Sequence, residues 1–188
     1  MIENLFKEVE LDEKESEIVE YGLKRFMMFL GSLLVVTFIG ILTGQVTALF
    51  LFLLLFIPLR IFAGGLHMPS VTMCGMSSAV LILAIAFIMR EVDTDYINFL
   101  WLRVFCLCAL FVIITIAPVD TPTKTLFDYE RNKNKVISII VSLMEFSLGI
   151  FPGIPDRVKL LCCLSMLTEA VFLLIQWIIN RIRKKNLG

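Results

Sequence analysis

Long apolar blocks separated by short polar ones dominate this chain from residue 26 onward. Six blocks reach or approach the roughly 20 apolar residues needed to cross a bilayer. They lie at about 26–43, 46–63, 74–90, 96–117, 136–153 and 159–180. A soluble domain would interleave its apolar residues with polar ones at helix or strand period. Continuous blocks make lipid the partner instead. The expected fold is all-α: a polytopic membrane protein of six transmembrane helices, one domain over residues 1–188. Pro58 and Arg60 interrupt the second block, so its best apolar stretch is Val46 to Leu59, and the third block is short. Gly44-Gln45 leaves only a tight hairpin between the first two. Between the second and third, Gly64, Gly65 and Pro69 work against a continuous helix, which predicts a broken segment.

Residues 1–25 differ in kind. Ile2, Leu5, Phe6 and Val9 fall on one helical face and are followed by an acidic run from Glu8 to Glu20. This predicts an N-terminal amphipathic helix at the membrane surface, its polar face solvated or meeting a basic partner. The segment has no apolar run, so no cleavable signal is expected.

Composition agrees with the pattern. Hydrophobic residues make up 59% of the chain and mean hydropathy is +0.90, above the roughly 45–50% apolar content of soluble domains. The formal charge of zero predicts no nucleic-acid partner. The distribution of Lys and Arg is more informative. Thirteen fall on one side of the six blocks and three (Arg90, Arg157, Lys159) on the other, with Arg103 inside a block. Cytoplasmic flanks are enriched in these residues, so both termini and the loop after the second helix are expected in the cytoplasm. Four of the five cysteines lie inside apolar blocks and read as small hydrophobes rather than a disulfide framework.

Candidate chemistry centres on the only histidine, His67, seven residues before Cys74. A cysteine becomes a strong nucleophile when a neighbouring base favours its thiolate, and histidine is the commonest such base. Seven residues on a straight helix are about 10 Å of rise, beyond a hydrogen bond of about 3 Å. The break at Gly64-Gly65 and Pro69 would let the segment fold back. A zinc centre wants three or four protein ligands and this pair supplies two, so no metal or cofactor is expected.

The stretch Arg60-x3-Gly64-Gly65-x-His67-x-Pro69-Ser70-x3-Cys74 resembles the active-site signature of the accessory gene regulator B (AgrB) family, membrane-embedded cysteine peptidases of Gram-positive bacteria. Ala117-Pro118, the polar segment through Lys124 and Arg131 to Lys135, and Glu169-Ala170 also resemble that family. The resemblance implies a plasma-membrane endopeptidase that removes the C-terminal tail of an AgrD-like propeptide. The remaining peptide would be held as a thioester and closed to a cyclic autoinducer. It implies Cys74 as nucleophile, His67 as general base, Arg60 and Gly65 as residues framing the site, and self-association as a homodimer. Met68 departs from the small residue usual there, and Asp120 and Asp128 dilute the basic segment.

A third partner for the imidazole stays open among Ser70, Thr72, Ser77, Asp120 and Glu169. Arg60 either serves the site or snorkels to the interface. Arg103, Glu145 and Glu169 are ionisable groups inside spans, and Arg103 is expected to pair with one of the two glutamates. A small peptide exporter and a non-catalytic membrane scaffold are the competing functional classes.

Overall fold

The structure is a computed structural model that describes residues 13–66, 71–94, 98–119 and 128–187. Its elements are all helical: α1 (Glu13–Thr43), α2 (Val46–Ala63), α3 (Val71–Glu91), α4 (Phe99–Ile116), α5 (Asp128–Ile150) and α6 (Asp156–Leu187). Five of the six are long and apolar enough to cross a membrane: Phe26–Thr43 within α1, Val46–Ala63, Thr72–Glu91, Phe99–Ile116 and Asp156–Arg183. This is a membrane protein, and the first two spans fall where the hydropathy blocks put them. The exception is α5. Its first two turns hold Asp128, Glu130, Arg131, Lys133 and Lys135, and Glu145 interrupts the apolar remainder. That helix therefore falls short of the apolar length, although the sequence pattern counted it as a sixth span.

Two further expectations change. Residues 13–25 are not a separate interfacial helix but the opening turns of α1, continuous with its span; residues 1–12 lie outside the described residues. At 31 residues α1 is about 46 Å long, well beyond a hydrocarbon core of about 30 Å. Nor do Pro58 and Arg60 break the second helix. α2 runs through both and stops only at Gly64. Proline there forfeits one backbone bond, which a helix packed on its neighbours absorbs.

Two apolar clusters hold the bundle. One, around Phe52, Phe56, Ile85 and Met89, joins α1, α2, α3 and the start of α6. The other, around Leu59, Ile113, Met166 and Leu173, joins α2, α4 and α6. α2 and α6 serve both, and α5 packs against α2, α4 and α6. The second cluster sits under the end of α2, where the candidate chemistry lies. By contrast the first turn of α3 is exposed at Thr72, Met73, Cys74, Gly75 and Met76.

Candidate active site

α2 ends because Gly64 and Gly65 both take positive φ, +80° and +106°, a backbone region that side-chain-bearing residues rarely adopt. The Gly64 N–H still donates to the Arg60 carbonyl at 3.2 Å. Past that point the carbonyls have left the helix and need other donors, because an unpaired backbone oxygen in an apolar setting is costly. Arg60 supplies them. Its guanidinium folds over the helix end, Nη1 donating to the Gly64 carbonyl at 2.9 Å and Nη2 to the Leu66 carbonyl. One fork-shaped cation thus ties down the backbone that leads to His67.

The cation is itself held from α6. Glu169 Oε2 lies 3.7 Å from Arg60 Nη1, with the glutamate fully buried and the arginine 24% exposed. One turn further along, the Phe172 ring stacks under the guanidinium at 4.9 Å, a cation–π contact. Gly65 is where the backbone passes this pair. A Cβ there would stand 2.4 Å from Arg60 Nη1 and 3.3 Å from Glu169 Oε1.

A third segment completes the arrangement. After α4 the chain passes the cis Ala117–Pro118 bond and runs beside the end of α2. The Val119 N–H donates to the Ala63 carbonyl at 3.2 Å, and Gly64 and Val119 form an isolated parallel bridge. A Cβ on Gly64 would meet the Val119 carbonyl oxygen at 2.8 Å. Three stretches far apart in sequence (60–66, 117–119 and 169–172) therefore meet at one helix end.

Cys74 is exposed in the first turn of α3, where the leading backbone N–H groups have no helical acceptor. Ser77 Oγ donates to the Cys74 carbonyl at 2.9 Å, so that hydroxyl is engaged by backbone. His67, Met68, Pro69, Ser70, Asp120 and Lys124 lie outside the described residues. All five cysteines are free; Cys106, Cys162 and Cys163 are buried and Cys108 is exposed.

The arginine pairing differs from the sequence expectation. Arg103 is exposed on α4, and Glu169 pairs with Arg60 instead. Arg60 does not snorkel outward; all of its named contacts point into the protein. One signal could have found the pair. Arg60 and Glu169 stand at nearly equal distances from the starts of α2 and α6, helices whose first residues meet near Gly44, Gln45 and Arg157. Removing one member of a buried ion pair leaves the other uncompensated at about 3–5 kcal/mol. Arg60→Met should therefore lower unfolding stability in micelles by about 3 kcal/mol, and a loss within the usual ±0.5 kcal/mol of a surface change would argue against the pair.

The accessory gene regulator B family model matches residues 1–182. A protein of Clostridium perfringens (strain SM101 / Type A), named as AgrB-like, is 27% identical over 170 residues, covering 80% of this chain and 79% of its own. A second protein so named, from C. perfringens (strain 13 / Type A), is 23% identical over the same share of each chain. No solved structure matches.

Proposed function

The chain belongs to the accessory gene regulator B family, and we propose that it is the cysteine endopeptidase of a quorum-sensing system, acting on an AgrD-like propeptide. The observation that carries this reading is the convergence at the end of α2. The residues that tie down the Gly64–Leu66 backbone (Arg60, Glu169, Val119) are the ones a site in the following segment needs to be rigid. Eight residues after Leu66, Cys74 stands exposed at a helix start.

In this mechanism His67 takes the proton from Cys74 Sγ, and the thiolate attacks the carbonyl carbon at the propeptide's cleavage point. The first N–H groups of α3 face the developing oxyanion. The C–N bond then breaks, and the imidazolium returns its proton to the departing amine of the C-terminal tail. The rest of the peptide stays as a thioester on Cys74 until a nucleophile within the same peptide displaces the thiolate and closes a ring. A site flanked by lipid protects that thioester from water. Arg60 and Glu169 act as positioning residues, and Lys124 is assigned a supporting, substrate-positioning role.

We place α5 as a sixth crossing, paired with α6 and tolerated because its buried polar face turns inward. With six crossings the charge bias puts both termini and Cys74 on the cytoplasmic side of a Gram-positive plasma membrane. A homodimer completes the proposed assembly.

The test is purified protein in liposomes with a candidate propeptide, followed by mass spectrometry. Release of an intact C-terminal tail fragment is expected, and it should vanish with His67→Ala. Peptide flux across the bilayer without any cleavage would favour the exporter instead.

A further inference from the structure

Among the described residues the buried polar or charged side chains are Ser138, Ser142, Glu145, Ser165, Glu169 and Gln176. Every one lies on α5 or α6. The spacing puts each set on one helical face, and the two helices pack together, so these groups form a single polar seam inside an apolar bundle.

Most of the seam is accounted for within the protein. Ser138 and Ser142 hydroxyls donate to the Lys135 and Ile139 carbonyls at 2.9 and 3.0 Å. Gln176 Nε2 donates to Asn180 Oδ1 at 3.0 Å. Among the described residues, both carboxylate oxygens of Glu145, both of Glu169 and the hydroxyl of Ser165 have no hydrogen-bond partner; Glu169 has the Arg60 cation beside it, which leaves Glu145 and Ser165. Glu145 is 3% exposed and Ser165 0%, and the two lie side by side between α5 and α6.

A carboxylate without a counter-charge in a membrane interior is among the costliest arrangements a protein can hold, and such groups commonly mark ion or proton sites. Among the described residues Glu145 has no cationic side chain to draw on. Arg60 is engaged by Glu169, and Arg103 is exposed on α4. One unpaired carboxylate calls for a single positive charge; its two oxygens and one neighbouring hydroxyl are too few for a metal ion, which takes about six oxygens, whereas a proton needs only one of them.

We propose that Glu145, with Ser165 beside it, forms an exchangeable intramembrane proton site that no part of the peptidase chemistry uses. The titratable groups facing Glu145 are Glu169 and Cys162 from α6 and Cys106 from α4; from α2, Arg60 reaches it only through Glu169. Ser165 and Glu169 are one helical turn apart, so a proton bound at Glu145 removes the repulsion between the two carboxylates. Filling the site thereby favours the Arg60–Glu169 pair. Only this last coupling rests on the peptidase reading.

The experiment is thermal unfolding of the full chain in lipid nanodiscs, followed by tryptophan fluorescence. One series replaces choline chloride by NaCl at constant ionic strength. A second runs from mildly alkaline to mildly acidic pH without Na⁺. The wild type is expected to show a raised midpoint in the acid series and none in the NaCl series; a rise with NaCl alone would overturn the proton assignment. The shift should disappear in Glu145→Gln. Ser165→Ala, which keeps the carboxylate but removes the hydroxyl that favours its charged form, should show the shift at a less acidic pH, and it keeps the test decisive if the first variant fails to fold. Equal shifts in the wild type and Glu145→Gln, or in the wild type and Ser165→Ala should the glutamine variant not fold, would overturn the site. Because the readout is stability, a failure of the peptidase reading leaves this result unaffected.

Discussion

Replacing Cys74 by alanine is expected to abolish tail release while the protein inserts in the membrane at wild-type levels. Removal of the nucleophile from a covalent mechanism costs on the order of 10⁶-fold in turnover, so cleavage should fall below detection. The fold gives a reason to expect no accompanying structural loss. Cys74 is exposed, and its neighbours Thr72, Met73, Gly75 and Met76 are exposed as well, so the thiol contributes little burial. Cys106, Cys162 and Cys163 are the contrast, since all three are buried and alanine there removes packing. Tail release measured by mass spectrometry, beside membrane yield, separates the two kinds of effect. Cleavage at even a hundredth of the wild-type rate in purified Cys74→Ala would remove this residue from the nucleophile's role.

The second large effect is expected at Gly65. An alanine there carries two independent penalties. Its φ of +106° disfavours any side chain, and the new methyl would stand 2.4 Å from Arg60 Nη1. Arg60 cannot simply swing aside, because its guanidinium is committed to the Gly64 and Leu66 carbonyls, to Glu169 and to the Phe172 ring. The backbone must shift instead, and it is the backbone leading to His67. Misplacing a reacting group by about 1 Å costs on the order of 10²-fold, and that loss in kcat is expected for Gly65→Ala. Gly31 is the control. It lies within α1, and nothing stands within 4 Å of where its Cβ would be, so Gly31→Ala should cleave at the wild-type rate. Equal rates for the two variants would show that the Gly65 geometry does not govern the site.

The helices were legible where hydrophobicity alone decides. The blocks at 26–43 and 46–63 end where the spans end because Gly44-Gln45 and Gly64-Gly65 stop them, and both signals are local. Pro58 misled because its cost to an isolated helix is outweighed by packing of Leu59, Phe56 and Phe52 on either side. The surface helix at residues 1–25 misled for a related reason: an amphipathic pattern says which face is apolar, not whether the helix stops before the span begins. In α5, Glu145 makes the same point, since its burial follows from the partner face on α6, which the local sequence does not display.

The site was legible in parts and not as a whole. His67, Cys74, Arg60 and the glycine pair lie within fifteen residues and could be read together. The resemblance also pointed to Ala117-Pro118 and Glu169, but as separate landmarks. That they meet is a tertiary fact, and the Arg103 pairing expected for Glu169 shows how weakly charge alone selects a partner. What selects Arg60 is equal depth along two parallel helices, together with the unpaired carbonyls that the break after α2 creates.

The central claim is the covalent intermediate on Cys74, and intact-protein mass spectrometry of the reconstituted enzyme, acid-quenched during turnover with propeptide, tests it most directly. The account predicts a mass increase equal to the propeptide without its C-terminal tail, located at Cys74 and discharged by hydroxylamine as a thioester is. Tail release proceeding with no such adduct, or an adduct that persists in Cys74→Ala, would contradict it.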